Sequence, residues 1–441
     1  MSRKESYLSK LRSPELAVQL IRSGDGVYIH SNAAAPHTLI EAMTARKTEL
    51  KDVKIYQIIT LGPAPYAEPD CEGAFYVHCL FVGPNTRRAV NEGRADYTPV
   101  FFSALPALFS SRQLKVDVCL LSVSPPDEDG YMTLGPSVDS TWAAIEHCNH
   151  IIAEVNKQIP RTFGATKIHV DKIDAFVESD RPLPLLHSEV PDATCMAIGR
   201  NVASLVDDSA TLQMGIGAIP NAVLQYLGDK RNLGVHTEMF SDGVIDLVES
   251  GVINNSRKTV QPGKISVSFA MGSKRVYDYI DNNQDVEFSG SDWINNSQII
   301  AQNYRMTAIN SALQIDLTGQ VCADSLGCEM YSGCGGQVDF IRGAANSPGG
   351  KAIIAMESTA KSGTLSKIVP FLNPGAGVVT SRADLHYVVT EYGIANLHGK
   401  NLKDRVKALI EIAHPDFRAG LEKQAFEHYK WMGVKTVQSC S

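Results

Sequence analysis

Short apolar runs alternate with helical segments along this chain, and Gly- and Pro-containing loops separate them. That alternation constrains the fold more than any other feature. VYIHSN (27–32) reads as a strand and HTLIEAM (37–43) as the helix after it. DVCLLSVS (117–124) and HIIAEVN (150–156) read as further strands. Residues 210–214 form another, and 220–227 a helix. KISVSFAM (264–271), ALQIDL (312–317), KAIIAM (351–356) and LHYVVT (385–390) continue the series. Parallel neighbours need a crossover, and a helix is the usual one. The pattern therefore predicts α/β layers on mostly parallel sheet. With 441 residues, 44% of them hydrophobic, the chain holds enough apolar material for two or three domains.

The series also echoes itself. SGDGVYIHSNAAAPHTLIEAM (23–43) lines up with DDSATLQMGIGAIPNAVLQYL (207–227): an acidic turn, a strand, a small-residue loop with proline, then a helix. DVCLLSVSPPDEDGYMTLG (117–135) aligns with SALQIDLTGQVCADSLG (311–327), and HIIAEVNKQIP (150–160) with HYVVTEYGIAN (386–396). Three matches in one order predict two related α/β domains. Periodicity lapses in ESDRPLPLLHSEVPDA (178–193), which sets the expected division at residues 1–190 and 191–441. A ligand is expected in the cleft between them.

Charge narrows the partners. The 41 basic and 48 acidic residues leave a net charge of −7, with no basic block. Nucleic acid needs clustered Lys and Arg to neutralise phosphate, so none is expected as a partner. MSRKESYLSKLRSPELAVQLI has no unbroken apolar core and does not read as a secretory signal. No run of about 18 apolar residues suits a membrane span. Nine cysteines, an odd number in a long chain, read as cytosolic thiols, so the expected location is cytoplasmic. Cys322, Cys328, Cys334 and Cys440 lack a zinc-like spacing, and His147, Cys148 and His150 read as packing residues. No metal site is expected.

Four short segments carry candidate chemistry. GIGAIP (215–220) opens a helix, where free N–H groups can hold a phosphate or an oxyanion; a tight turn with no ligand is the plain alternative. Pro220 stands where a dinucleotide fingerprint has its third glycine, and no Walker A motif occurs. SGCGGQVDFIRGA (332–344) is a second glycine-rich loop, in which Gly333, Gly335 and Gly336 permit close backbone approach. Cys334 within it reads as an inert thiol. Lys361 follows a strand in ESTAKSG (357–363) and reads as an anion contact; Glu391 in EYGIANLHGK is a second active-site carboxylate or a polar anchor. HTEMFSDG (236–243) delivers Glu238 from an apolar step into a turn before a helix. Glu238 reads locally as a cap, a core-rim acid or a nucleophile. A carboxylate attacks only an activated acyl group, and a thioester is one.

GIGAIPNAV, HTEMFSDG, SGCGGQVDFIRGA and TEYGIANLHGK, flanked by SVSPPDEDG, AEVN and SKIVPF, together resemble the acetyl-CoA hydrolase/transferase family. The likeness is greatest to its 4-hydroxybutyrate and butyryl-CoA:acetate CoA-transferase group and runs from about Gly24 to HPDF (414–417). It implies two related open-sheet α/β domains of the CoA-transferase, NagB/RpiA-like kind, with the active site in the cleft between them. It implies Glu238 as the nucleophile, passing through an acyl-glutamyl anhydride and a glutamyl-CoA thioester in a ping-pong sequence. The same likeness puts Gln213, Met214, Gly215, Ile216 and Gly217 on CoA or the reacting thioester, Gly335 and Gly336 beside CoA, and Lys361 on its phosphates. Asn296 is implied as a polar active-site residue. CoA is implied as a thioester substrate rather than a tightly bound cofactor. Small carboxylic acids are the implied acceptors, and a homodimer or higher homo-oligomer the implied assembly. A hydrolase on the same glutamate and a CoA-binding module without chemistry are the alternatives. Asn32, Tyr66 and His37 are candidates for the acyl pocket.

Overall fold

The computed structural model describes residues 3–187 and 189–432; Cys440 lies outside them. Two open sheets form its frame. The first is built from β1 (Gly26–Ile29), β2 (Val53–Gln57), β3 (Phe75–Cys79), β4 (Ala95–Tyr97), β5 (Val118–Val123), β6 (His150–Asn156) and, after a short strand β7 (Phe163–Gly164) that leaves the sheet, β8 (Ala175–Ser179). Their order is β8-β6-β5-β1-β2-β3-β4, all parallel. The second takes β9 (Thr211–Met214), β10 (Gly234–Phe240), β11 (Ile265–Ala270), β12 (Val286–Phe288), β13 (Met306–Asn310), β14 (Lys351–Ala355), β15 (Tyr387–Thr390) and β16 (Gly393–Asn396). It runs β16-β15-β14-β13-β9-β10-β11-β12-β7, parallel except for the β15–β16 hairpin. Every residue of β5 and of β11 is buried, as parallel strands covered on both faces require.

Strand order confirms the echo and corrects its register. β8-β6-β5-β1-β2-β3-β4 superposes in order on β15-β14-β13-β9-β10-β11-β12. The pairing of 23–43 with 207–227 is therefore right, because β1 and β9 hold equivalent places. β5 corresponds to β13, however, not to 311–327. The strand in that segment, Gln314–Asp316, belongs to a separate small sheet with Val321–Cys322 and Ile368–Val369. Likewise β6 corresponds to β14 rather than to 386–396, which forms β15 and β16. A buried apolar run reads the same in a small satellite sheet as in a main one, and this moved the alignment one strand along.

Both sheets reverse direction of growth at one point, between β1 and β5 and between β9 and β13. Such reversals leave a crevice at the carboxyl ends of the strands. The helices used below are α1 (His37–Ala45), α2 (Ala193–Leu205), α3 (Ala218–Gln225), α4 (Ser291–Ile294) and α5 (Gln337–Asn346).

The halves are stitched together, not merely tethered. Of the residues that connect them, 180–187 and 189–192 carry no regular element. The short strand β7 comes from the first half yet closes the edge of the second sheet against β12. The loop at 136–139 lies along β11: Ala270 N–H donates to the Pro136 carbonyl (2.8 Å) and Val138 N–H to the Ser268 carbonyl (3.0 Å). One apolar cluster contains Leu134, Val138 and Phe102 from the first half together with Phe240, Ile245 and Phe269 from the second.

α2 and α3 cross with almost no separation. A Cβ on Gly199 would stand 2.7 Å from the carbonyl carbon and the Cβ of Ala222. Gly199→Ala should force the helices apart and cost about 1–3 kcal/mol, read as a lower urea midpoint with an unchanged m-value. An unmoved midpoint would show that the crossing has slack.

Candidate active site

Glu238 sits at the carboxyl end of β10, one strand from the reversal point of the second sheet. Strand alternation puts His236 and Glu238 on one face and Thr237 and Met239 on the other. Glu238 is partly exposed, but protein atoms surround most of its carboxylate. Asn295 Nδ2 donates to Glu238 Oε2 at 2.7 Å. The backbone N–H of Gly336 lies near the same carboxylate and favours its ionised form. A Cβ at 336 would overlap both Glu238 Oε2 and Asn295 Nδ2. The φ of Gly336 is −92°, open to any residue, so glycine is needed for space alone. Gly335, at φ +53°, makes the left-handed bend that brings residue 336 in.

Gly336 is also the N-cap of α5, so the positive end of that helix faces the carboxylate. Burial pushes the Glu238 carboxyl up to about 8; the negative charges of Asp339 and Asp139 add to this, while the Asn295 amide and Gly336 N–H oppose it. Burial likewise pushes Asp339 up to about 6, against the hydrogen bonds from Ser103.

The glycine-rich loop is held by the first half. Cys334 N–H donates to the Tyr97 hydroxyl (2.9 Å), Phe102 N–H to the Gly335 carbonyl (3.0 Å) and Val82 N–H to the Ser332 carbonyl (3.2 Å). The Phe81 ring packs against Gly333 and Gly335. Ser103 donates from N (3.0 Å) and Oγ (2.8 Å) to Asp339 in the first turn of α5. Cys334 meets the Tyr97 hydroxyl at 3.5 Å, and burial raises its thiol pKa, which suits an inert thiol.

A buried polar cluster of the first half includes Asp139, whose charge acts on Glu238. Asp139 accepts from Ser137 Oγ (3.0 Å), Tyr28 Oη (3.2 Å) and Ser31 Oγ. Asn32, at φ +57°, donates to Ser137 Oγ (2.9 Å). Of the other two acyl-pocket candidates, Tyr66 is buried against Gln57, and His37 pairs its Nε2 with the Leu61 carbonyl (2.8 Å).

The remaining sequence candidates fall in three places. Gln213, one residue before the end of β9, is paired with Asn310 on β13, with amide contacts of 3.0 and 3.4 Å. Met214 is buried behind it, Gly215 has open space where a side chain would be, and Ile216 is exposed. Gly217, at φ +112°, caps α3. The N–H of Ala218 there is already taken, donating to Glu189 Oε2 of the connector at 3.1 Å. Ile216 and Gly217 line a cavity with Ser241, Asp242 and Met271. Lys361 lines a different one with Glu357, Glu391 and His414. Glu391 accepts from Ser358 N–H (2.9 Å) and Oγ, which makes it a polar anchor. Asn296 caps the helix Ser297–Gln302 by accepting from Gln298 N–H (2.9 Å). Its neighbour Asn295 is the residue that meets Glu238. The only signal for it in sequence was the doubled asparagine of WINNSQ.

The sequence profile of the acetyl-CoA hydrolase/transferase N-terminal domain matches residues 1–187, and that of the C-terminal domain residues 272–425. A 4-hydroxybutyrate coenzyme A transferase of Clostridium kluyveri is 49% identical, covering 96% of this chain and 98% of its own. A succinyl-CoA:acetate/propanoyl-CoA:succinate CoA transferase of Fasciola hepatica is 50% identical, covering 93% and 87%. The crystal structure of RipA from Yersinia pestis superposes with a TM-score of 0.92 at 36% identity, covering 97% and 99%. On these matches and on the strand order described above, the chain belongs to the acetyl-CoA hydrolase/transferase family.

Proposed function

We propose that this protein is an acyl-CoA:carboxylate CoA-transferase acting on short-chain acyl groups, with Glu238 as its nucleophile. The observation that carries the reading is the Glu238 carboxylate itself. It stands at the carboxyl edge of a parallel sheet, held by one side-chain amide and by the start of a helix. The relatives named as CoA transferases support the reaction class.

The steps follow from the chemistry of a carboxylate and a thioester. A Glu238 oxygen attacks the acyl carbonyl, the C–S bond breaks, and CoA leaves as the thiolate. The product is a mixed anhydride between the acyl group and Glu238. The thiolate then attacks the Glu238 Cδ, the C–O bond breaks, and the first carboxylate departs. What remains is a glutamyl-CoA thioester. A second carboxylate reverses both steps and leaves as a new acyl-CoA. Each intermediate is an activated acyl species, the anhydride more so than the thioester, so the energy of the thioester is carried through rather than lost to water. The Asn295 amide on Glu238 Oε2 suits the negative charge that develops on that oxygen when Cδ is attacked. Gln213, Gly215, Gly217, Gly335 and Lys361 are proposed CoA contacts. Water at the glutamyl thioester would give hydrolysis instead, so the test below includes both outcomes.

Incubation with butyryl-CoA alone should place CoA on Glu238, read as the added mass of its peptide; borohydride should then release CoA as the thiol and leave that side chain as the alcohol, a peptide lighter than the untreated one. Glu238→Ala should lose the adduct and at least about 10³-fold in kcat. Turnover that survives in Glu238→Ala would end the proposal. CoA release that ignores added acetate would make the enzyme a hydrolase.

Attack needs the ionised carboxylate. With Glu238 raised to about 8 in the free enzyme, kcat/KM should climb as pH rises through that value and level off above it. A flat profile between pH 6 and about 9 would contradict the assignment.

Gly336→Ala tests the close approach separately. The added methyl group displaces Glu238 or Asn295, and a shift of about 1 Å costs on the order of 100-fold in kcat. Near-normal kcat in a folded variant would mean that the helix start can retreat without cost.

A further inference from the structure

Asn295 holds Glu238, but something must hold Asn295. It follows α4, a helix of only four residues, too short to be stable alone. Two groups fix that helix. At its start, Ser291 N–H donates to the Asp139 carbonyl at 2.9 Å. At its end, the Ile294 carbonyl lies 2.8 Å from Nε2 of His236. A carbonyl oxygen can only accept, so Nε2 carries the proton.

His236 is fully buried and its ring is enclosed. It stacks on Trp293 of α4, with centroids 5.6 Å apart and planes at 29°. It also meets Phe340 of α5 edge-on at 6.1 Å. Burial and the neighbouring Lys258 amine lower its pKa to about 3, so the ring is neutral. Lys258 is itself occupied, donating to the Val235 and Lys264 carbonyls and to Ser266 Oγ at 2.8, 2.6 and 2.7 Å.

We infer that His236 is a positioning residue for the Glu238 chemistry: its N–H and ring pin α4, and through it the Asn295 amide, to the strand that carries the nucleophile. His236 and Glu238 leave β10 on the same face, two residues apart. One touches the last carbonyl of α4, and the other accepts from the residue after it. The strand thus fixes both ends of a short link, Ile294 to Asn295. Its contact with Phe340 ties the same ring to α5, whose first residues follow Gly336. The inference rests on the proposed role of Glu238.

The test uses the full-length enzyme and the acid limb of kcat/KM. Asn295 donation favours the ionised carboxylate, so losing it moves the limb to higher pH. The other charged groups facing Glu238 are Asp339 on α5 and Asp139 from the first half, and neither is altered. His236→Phe keeps the ring and removes the donor. It should lower kcat about 10-fold or more and move the limb up by about half a pH unit or more, with KM for acyl-CoA little changed. Asn295→Ala should do the same, and the double variant should be no worse than Asn295→Ala alone. His236→Gln retains an N–H near the Nε2 position and should keep the limb in place. A limb unmoved in folded His236→Phe, or losses that multiply in the double variant, would overturn the inference. If the Phe variant does not fold, a Gln variant whose limb shifts as far as that of Asn295→Ala overturns it equally. Turnover surviving in Glu238→Ala would instead remove the parent reading.

Discussion

The backbone of residue 336 passes where any side chain would strike the Glu238 carboxylate. Most of the site depends on that approach. It brings the N–H end of α5 up to the acid, and it shuts water away from much of the carboxylate. The two effects oppose each other in their influence on charge. Water exclusion disfavours the anion; the N–H and the Asn295 amide favour it. The balance leaves an acid that ionises at about pH 8 and is less heavily solvated than a surface glutamate. Such a carboxylate is a better nucleophile than one held in water, provided that pH allows it to ionise.

Holding a glycine-rich loop this close is costly in conformational freedom, since glycine loses more on ordering than other residues. The first half meets that cost. Tyr97, Phe102, Val82 and Ser103 bind the loop and the first turn of α5, and Phe81 packs on two of its glycines. Asp139, from the same half, reaches α4 through its carbonyl. The residues that touch Glu238 thus come from the second half, while the support behind them comes largely from the first. This gives the two similar halves a physical division of labour: one carries Glu238 and the other holds its surroundings in place.

Much of this was legible in the chain. Alternating strands and helices announced parallel sheets, and the 23–43 and 207–227 match identified equivalent strands. HTEMFSDG and SGCGGQVDF marked the two segments that meet. What sequence could not supply was register and partnership. The echo slipped by one strand because a satellite sheet at 314–316 looks as apolar as a main strand. In WINNSQ the two asparagines are equivalent on paper; helix geometry makes the second a cap and turns the first toward Glu238. Glu189, an ordinary acid in an irregular connector, gave no sign that it would occupy the N–H of Ala218. Tyr97 and Ser103 lie more than 200 residues from the loop they hold, with separations of 237 and 236. No local pattern reports contacts of that range.

The small strand β7 has a further consequence. It is made by the first half, yet it is the last strand of the second sheet. A cut within 180–192 would sever the covalent connection and leave this strand in place, along with the 136–139 loop on β11. The two fragments would remain one particle, joined by sheet hydrogen bonds and a common apolar interior. The converse also holds. A fragment beginning at the connector would start life with an open sheet edge at β12, a surface prone to pair with whatever strand it meets. Autonomy of the halves, suggested by their likeness, is denied by one exchanged strand.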